Sequence, residues 1–185
     1  MTPQPPDRDR IPFGAEAPER GQPMIRLRPM VRGDLALFEH WLSAPHVQKW
    51  YGDPAAWLYE AAEMDGLYGW IVRFIAERDG VPVGFCQYYA CCDSGEDWAH
   101  YTRLGGSYSV DYLIGDAADL NKGYGKQMLA ALEREIGKLP GARRIVVRPE
   151  PLNTASRALL RSAGYALDTA TDIFVKELRP KEKTP

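Results

Sequence analysis

A glycine- and lysine-rich stretch at residues 121–126 stands directly before an amphipathic sequence. The first N–H groups of a helix have no partner inside the helix, and the helix dipole favours an anion at that end. Gly123 and Gly125 would let a phosphate approach the backbone, and Lys122 and Lys126 would add positive charge. On spacing alone, an ordinary strand-to-helix turn with incidental lysines explains the stretch equally well.

The flanking sequence predicts that this stretch connects a strand to a helix. The segment SYSVDYLIG, Ser107 to Gly115, is rich in β-branched and aromatic residues, as strands are. After the glycines, apolar residues between 128 and 136 recur at the spacing of one helix face, which predicts a helix to about Lys138. Upstream, two β-rich runs flank Asp79-Gly80, a dipeptide typical of hairpin turns.

The whole chain predicts a mixed α/β domain with one central, mixed and partly parallel twisted sheet of six to seven strands flanked by helices. A single domain is expected over residues 24–179, after a proline-rich arm at 1–23 and before a tail at 180–185. The predicted elements are strands at 24–30, 69–78, 81–92, 107–115 and 142–149, helices at 32–43, 44–51, 54–61, 124–138 and 153–164, a loop at 94–106, and a final hairpin at 165–178.

Composition excludes several function classes. A net charge of −2 gives no electrostatic basis for binding nucleic acid, and no apolar run approaches the roughly 20 residues that span a membrane. The three cysteines, Cys86, Cys91 and Cys92, form neither a disulfide framework nor a zinc-ligand spacing. The N-terminal residues lack the apolar segment of a signal peptide. These features predict a cytoplasmic protein with no metal site.

The glycine stretch and a second motif together resemble the GNAT superfamily of N-acetyltransferases. Gly123 and Gly125 match its cofactor motif, Gln/Arg-x-x-Gly-x-Gly/Ala after a strand, although Leu120 stands where Gln or Arg is usual. The second motif is an Asn that opens the next helix and a Gly-aromatic pair that closes it, here Asn153 and Gly164-Tyr165. The order of predicted elements is also similar to the GNAT fold.

Other segments are similar to the aminoglycoside 6′-N-acetyltransferase branch, which is related to siderophore-type acyltransferases. HVQKWYG resembles a His-x-x-x-Trp-aromatic-Gly run that lines the acceptor pocket in that branch. VDYLIG resembles its central strand, in which Asp111 precedes the first motif glycine by twelve residues, as the branch's acceptor-binding Asp does. The substrate-binding residues that the resemblance implies are Trp50, Tyr51, Gln87, Glu96, Trp98 and Asp111.

The resemblance implies acetyl-CoA as co-substrate and a small-molecule amine as acceptor, attacked directly in a ternary complex. The pyrophosphate would sit on the loop 121–126, and the pantetheine arm would run between the strands near 107–114 and 144–148. The Leu113 amide would hold the thioester carbonyl and then its oxyanion. The implied cofactor-binding residues are Leu113, Ile114, Asn121, Lys122, Gly123, Tyr124, Gly125, Lys126 and Asn153.

Asp111 is the candidate catalytic carboxylate, because an aliphatic amine with a pKa near ~10.4 must lose a proton to attack. The alternative is a strand-end Asp satisfied by backbone donors. Trp50 and Tyr51 could form an aromatic wall or pack in the core. Glu96 and Asp97 could bind a cation or lie in a solvated loop. His46 is expected to cap or pack near a helical turn.

Two departures from the branch keep other acceptors open. Leu160 stands seven residues after Asn153, where the branch often has a Tyr that protonates the departing thiolate. Arg148 stands where the aminoglycoside enzymes tend to carry an acid, and it would repel a polycation if it faced the pocket. Acyl transfer to a hydroxylysine-like amine in siderophore assembly is therefore a second hypothesis. A non-catalytic acyl-CoA-binding module is a third, and either a monomer or a homodimer is expected.

Overall fold

The computed structural model describes residues 24–178, so the predicted arm at 1–23 and the tail at 180–185 lie outside the described residues. Its strands form a mixed sheet in the order β1-β2-β3-β4-β5-β7-β6, in which only β4 and β5 run parallel among the described pairs. The strands are β1 Arg26–Pro29, β2 Val72–Arg78, β3 Val81–Ala90, β4 Ser107–Ile114, β5 Arg144–Val147, β6 Ala166–Asp168 and β7 Ile173–Glu177.

Helices flank both faces of this sheet, which confirms the predicted fold class. They are α1 Leu35–Leu42, α2 Pro45–Tyr51, α3 Pro54–Ala62, α4 Tyr124–Gly137 and α5 Thr154–Ser162, with 3-10 turns at Arg32–Asp34, Ala99–Thr102 and Ala117–Asp119. The 3-10 turn at Ala99–Thr102 lies within the segment 94–106 that the sequence predicts to be a loop. None of the helices among residues 24–178 is long and apolar enough to cross a membrane.

The predicted hairpin at Asp79-Gly80 is confirmed and joins β2 to β3. Both residues have positive φ, 52° and 78°, as the two central residues of a type I′ turn require. Asp tolerates this conformation better than most side chains, and glycine adopts it freely. The turn sets the pairing in which Arg78 lies opposite Val81.

Two apolar layers hold the sheet between its helices. On one face α4 buries its predicted stripe, Met128, Leu129, Leu132 and Ile136, each with no solvent exposure. On the other face α1 buries Phe38, Trp41 and Leu42 against β2, β3 and β4. Each fully buried side chain of this size contributes roughly 1.5–3 kcal/mol of transfer free energy. The sheet is therefore fixed on both sides of β3 and β4.

The sheet opens where β4 leaves β5. The two strands pair only from Ser107 to Ser109 on β4, and β4 then continues five residues to Ile114. The other edge of β4 stays paired with β3 along the same stretch. The result is a cleft bordered by the unpaired edge of β4, the end of β5 and the start of α5.

Candidate functional site

A cavity of 370 Å³ lies at this opening of the sheet. It is bounded by α2 and α3 on one side and by β3, β4, the end of β5 and the start of α5 on the others. All six predicted substrate-binding residues line it, and so does Asn153. The lining residues are Trp50, Tyr51, Trp57, Glu60, Trp70, Ile71, Gln87, Tyr89, Glu96, Trp98, Ser109, Val110, Asp111, Tyr112, Val147, Arg148, Pro149, Glu150, Asn153 and Ser156.

The lining is acidic. Four carboxyl groups, from Glu60, Glu96, Asp111 and Glu150, face one guanidinium, that of Arg148. Glu60 is balanced by Arg73, whose guanidinium lies 3.0 Å from the Glu60 carboxylate. The other carboxyl groups leave the cavity with a surplus of negative charge, which favours a cationic occupant.

Asp111 lines this cavity and is half-buried. Its carboxylate accepts a 2.9 Å hydrogen bond from the Gln87 side-chain amide. Burial, with a smaller contribution from the negative charges of Glu96 and Glu60, raises the pKa of Asp111 to about 6, although the Gln87 hydrogen bond opposes the shift. A carboxyl group with this pKa can accept and release a proton near neutral pH, as a general base must.

Gln87 has a second feature that sequence reasoning could not foresee. The side chain is only 1% exposed, and its carbonyl oxygen has no hydrogen-bond partner among the described residues. A buried polar atom without a partner is costly, and such an atom in a cavity wall is suited to a ligand's donor group. Gln87 therefore holds Asp111 with one end and offers an acceptor with the other.

Aromatic rings form the walls above Asp111. Tyr51 packs on Trp57 with ring centroids 4.8 Å apart, and the Trp57 indole donates a 2.9 Å hydrogen bond to the Tyr51 carbonyl. Burial, and then the Asp111 charge, raise the pKa of Tyr51 well above its ordinary value. The Tyr51 hydroxyl therefore stays protonated beside the carboxyl group. Trp50 lies on the same wall, half-buried, with Lys49 over its outer ring face at 4.6 Å.

Arg148 lines the cavity, although much of its side chain is exposed to solvent. Its guanidinium lies 5.2 Å from the Trp98 ring centroid and donates to the Asp97 carbonyl. It thus ties the loop 94–106 to the end of β5. On the same loop Glu96 accepts a 3.2 Å hydrogen bond from the Tyr89 hydroxyl, and desolvation raises the pKa of Glu96.

The register of β3 and β4 decides which peptide groups reach the cleft. In an antiparallel pair, alternate residues direct both N–H and C=O toward the partner strand. At one end Cys91 N–H donates to the Ser107 carbonyl, and at the other Gly115 N–H donates to the Val83 carbonyl, each at 3.0 Å. The pairing between these ends is continuous. The odd-numbered residues of β4, including Leu113, therefore direct their peptide groups to β3.

This register does not support the oxyanion role predicted for the Leu113 amide, because that N–H is used within the sheet. The Leu113 side chain is also buried, among the α1 core residues. The peptide groups that face the cleft belong to the even-numbered residues, Tyr112 and Ile114. The Tyr112 amide lies beside the Tyr51 hydroxyl. The Ile114 carbonyl accepts a 3.0 Å hydrogen bond from His46, which packs near the helical turn as expected.

The phosphate cradle at residues 121–126 stays a prediction, and the peptide groups of this loop are available for it. The amides of residues 121–126 donate to no acceptor among the described residues, and the first amide of α4 that does so is that of Gln127, to the Gly123 carbonyl. Asn121 and Gly123 both have positive φ, 62° and 80°. Positive φ values of this kind occur in the backbone turns that bind anions at helix starts, so this conformation is compatible with the predicted phosphate site.

The two glycines of the cradle have different roles. A Cβ on Gly123 would meet no protein atom within 4 Å, so the space beside it is open to a ligand. A Cβ on Gly125 would lie 3.0 Å from the Leu159 side chain, so its small size lets α4 approach α5. Lys122 is paired with Asp119 at 2.8 Å, which reduces the charge it can offer. Lys126 is exposed, and Tyr124 is buried beneath the cradle.

The start of α5 completes the site. Asn153 caps this helix, and its side-chain oxygen accepts a 3.0 Å hydrogen bond from the Ser156 amide. The Ser156 hydroxyl is bonded to that of Tyr112 across the cleft at 2.8 Å. Leu160 is fully buried in the core on the α4 side of the sheet. Position 160 on α5 therefore carries an apolar core residue that has no proton to donate.

Sequence reasoning missed several cavity residues. Trp57 and Glu60 lie three residues apart on α3 and so share a helix face, a spacing that could have signalled a binding surface. Trp70, Tyr112, Ser156 and Glu150 carry no local signal and are brought in by the sheet. No group of three or more His, Cys, Asp or Glu residues in the described part of the chain is arranged to hold a metal ion.

Comparison with known proteins agrees with this architecture. Residues 30–173 match the acetyltransferase (GNAT) domain family. The aminoglycoside N(6′)-acetyltransferase type 1 of Klebsiella pneumoniae is 28% identical over 148 residues, which cover 76% of this chain and 73% of that protein. A crystal structure of aminoglycoside acetyltransferase AAC(6′)-Ib with coenzyme A matches with a TM-score of 0.74 and 26% identity, covering 86% of this chain and 98% of that one. A structure of AAC(6′)-Ib with ribostamycin and coenzyme A matches with a TM-score of 0.73 and 25% identity, covering 87% and 97%.

Proposed function

This chain belongs to the GNAT family and is an acetyl-CoA-dependent N-acetyltransferase, and from that premise we propose that it acetylates a primary amine of an aminoglycoside-like sugar, at the 6′ position. One observation carries the proposal. The acidic, aromatic-walled cavity ends on a carboxyl group, Asp111, whose pKa of about 6 suits proton transfer from an amine.

The cavity chemistry supports a cationic sugar. Carboxylates from Glu96, Asp111 and Glu150 suit ammonium groups, and the flat rings of Trp50 and Trp57 suit the apolar faces of sugar rings. The volume of 370 Å³ lies within the usual range for small-molecule sites, roughly 300–1,000 Å³. The similar AAC(6′)-Ib structure with ribostamycin and coenzyme A agrees with this substrate class.

The cradle and the unpaired strand edge fit acetyl-CoA. The diphosphate would lie on the amides of residues 121–126, and the pantetheine amides would hydrogen-bond along the β4 edge from Ile114 toward Tyr112. Because Leu113 faces β3, we reassign the oxyanion donor to one cleft-facing amide, that of Tyr112 or that of Ile114, since two amides this far apart on a strand cannot bind the same oxygen. Preorganised N–H groups of this kind stabilise the charge that develops on the carbonyl oxygen.

Asp111 then acts on the acceptor. As a carboxylate it orients the incoming ammonium group and accepts a proton from it, directly or through one water. The neutral amine attacks the thioester carbonyl in a ternary complex, and the C–N bond forms as the C–S bond breaks. No covalent enzyme intermediate is needed, and neither Cys86 nor Cys91 is among the residues that line the cavity. Both are buried thiols whose pKa burial raises.

Arg148 supports a second acceptor class. Its guanidinium faces the cavity and could pair with the carboxylate of a hydroxylysine-like amine, as in siderophore assembly. The same cation would oppose one ammonium group of a polycationic sugar. A non-catalytic acyl-CoA-binding module is the weakest alternative, because such a module would not need a carboxyl group tuned to pKa about 6 beside the β4 edge.

Purified protein separates these alternatives in a thiol-release assay. Acetyl-CoA is supplied with kanamycin-type aminoglycosides, lysine derivatives or polyamines, and release of free CoA is followed. The proposal predicts turnover with the aminoglycosides, with the acetyl group on the 6′ nitrogen by NMR. Turnover confined to lysine derivatives would support the second class. Acetyl-CoA binding without turnover of any amine would support the binding module.

A further inference from the structure

A pair of hydroxyl groups bridges the cleft between β4 and α5. The Tyr112 and Ser156 oxygens lie 2.8 Å apart, and both residues line the cavity. Ser156 is held in the first turn of α5, where its amide donates to the capping side chain of Asn153. The bridge therefore joins the unpaired strand edge to a fixed helix end.

The position of this bridge relative to Asp111 suggests a role. Neighbouring residues of a strand point to opposite faces of a sheet, so Asp111 faces the acceptor side and Tyr112 faces α5. A thioester along the β4 edge would have its acyl carbon between these side chains. An amine that approaches from the Asp111 side would then displace the sulfur toward the Tyr112 hydroxyl.

We propose that Tyr112, held by Ser156, is the hydrogen-bond donor to the departing thiolate of CoA, and that Ser156 is its positioning residue. The proposal rests on the proposed placement of acetyl-CoA. A strand residue is assigned this role because the residue on α5 one turn beyond Ser156 is Leu160. Leu160 is fully buried and has no proton to donate. Burial raises the pKa of Tyr112 to about 12, so the phenol keeps its proton and acts by donating a hydrogen bond.

The atoms balance without any further reactant. The amine nitrogen forms the new C–N bond, and the sulfur leaves with the electron pair of the C–S bond. Tyr112 donates a hydrogen bond to that sulfur, while Ser156 donates to the Tyr112 oxygen. The ammonium group gives its first proton to Asp111 before the attack, and Asp111 passes it to solvent. The nitrogen loses a second proton by the same route once the C–N bond has formed, and the thiolate takes one proton from solvent as CoA is released.

Tyr112→Phe and Ser156→Ala test the assignment, with Tyr108→Phe as the matched control. Tyr108 is on the same strand and face, but it does not line the cavity. A hydrogen bond to a charged group corresponds to roughly 10- to 100-fold in rate, so kcat should fall by that factor in Tyr112→Phe. The KM for acetyl-CoA should change by less than about twofold, because the bond forms only as the sulfur becomes charged.

A second readout needs no acceptor and so stands apart from the choice of substrate. The ultraviolet absorbance of thiolate gives the thiol pKa of bound CoA, after subtraction of the CoA-free protein because Cys92 is exposed. Tyr112→Phe should raise that pKa by about 1–2 units, which corresponds to the 10- to 100-fold effect. Ser156→Ala should raise it less, and Tyr108→Phe should leave it unchanged.

The assignment is overturned if the thiol pKa in Tyr112→Phe equals that of the wild type, even when kcat falls. It is also overturned if Tyr108→Phe shifts the thiol pKa equally. Should Tyr112→Phe melt too low for titration, Ser156→Ala decides alone, and an unshifted thiol pKa in that variant rejects the proposal.

Discussion

Replacing Asp111 with Asn should change activity and stability in opposite directions. Asn has nearly the same shape and can keep the hydrogen bond from Gln87, but it cannot accept a proton. Loss of a general base typically costs roughly 10²- to 10⁴-fold, so kcat should fall by at least about 10². With a pKa of about 6, the wild-type carboxyl group is about nine-tenths ionised at pH 7. Wild-type kcat/KM should therefore rise through about pH 6, and the variant's should not.

The stability effect follows from the same pKa. Folding raises the Asp111 pKa from 3.8 to about 6, so the folded state holds this proton more tightly than the unfolded state. The free energy of unfolding therefore falls as the pH rises from about 4 to about 6, and stays lower above that window. A shift of about two units corresponds to at most about 3 kcal/mol. Asp111→Asn removes this penalty and should raise the Tm at pH 7–8.

The assay is steady-state thiol release from pH 5 to 9, together with calorimetric melting at pH 4 and pH 8. The stabilisation should be present at pH 8 and absent at pH 4, where the wild-type carboxyl group is protonated. Asp116→Asn, at an exposed position just after β4, is the control and should change neither activity nor Tm. If Asp111→Asn lowers Tm as well as kcat, the carboxylate is a structural group and the reasoning fails.

Three further variants test separate parts of the site. Gly123→Val should raise the Kd for acetyl-CoA by at least about tenfold in calorimetric titration. The valine side chain would strain a backbone φ of 80° and fill the open side of the cradle. An unchanged Kd would contradict the cradle. Arg148→Gln should raise kcat/KM several-fold for polycationic acceptors and lower kcat/KM for amines that carry a carboxylate. Equal effects on both acceptor classes would show that Arg148 only holds the loop 94–106. Asp34→Ala removes a carboxylate that accepts from the Arg28 guanidinium at 2.8 and 2.9 Å and from the Val31 amide at 2.8 Å. This substitution should lower the free energy of unfolding by about 1–3 kcal/mol and leave kcat unchanged. A loss below about 0.5 kcal/mol would show that the hydrogen bonds of Asp34 contribute less to stability than expected.

The Asp34 cluster also predicts a pH effect opposite in sign to that of Asp111. The hydrogen bonds from Arg28 lower the pKa of Asp34, so this contribution is present above the ordinary carboxyl pKa and is lost as the pH falls below it. Chemical denaturation between pH 2 and pH 5 measures it. The free energy of unfolding should depend less on pH in Asp34→Ala than in the wild type. An identical pH dependence in the two proteins would contradict a stabilising contribution from the Asp34 carboxylate.

The fold could be predicted because its signals are local. The type I′ turn at Asp79-Gly80, the apolar stripe of α4 and the Asn cap of α5 each depend on a few neighbouring residues. The local sequence left the role of Gly123 open between an ordinary turn and a phosphate site, and the resemblance to the GNAT cofactor motif favoured the second. The packing of Gly125 against Leu159 could not be predicted, because it depends on where α5 crosses α4.

The site was predicted less completely because it depends on contacts between distant strands. The pairing of residue 107 with 91 and of residue 115 with 83 decides which amides of β4 face the cleft. A shift of one residue in this pairing would turn the odd-numbered amides to the cleft and the even-numbered amides to β3. The resemblance to relatives therefore identified the strand but indicated the Leu113 amide, which faces β3. The Tyr112–Ser156 bridge joins residues 44 positions apart and leaves no trace in either local sequence.

The structure of the protein crystallised with CoA tests the central claim most directly. The account predicts diphosphate oxygens within hydrogen-bond distance of amides in the loop 121–126, the pantetheine arm along the unpaired edge of β4, and the sulfur at the Tyr112 end of the cavity. A nucleotide bound elsewhere, or a sulfur remote from both Asp111 and Tyr112, would contradict it.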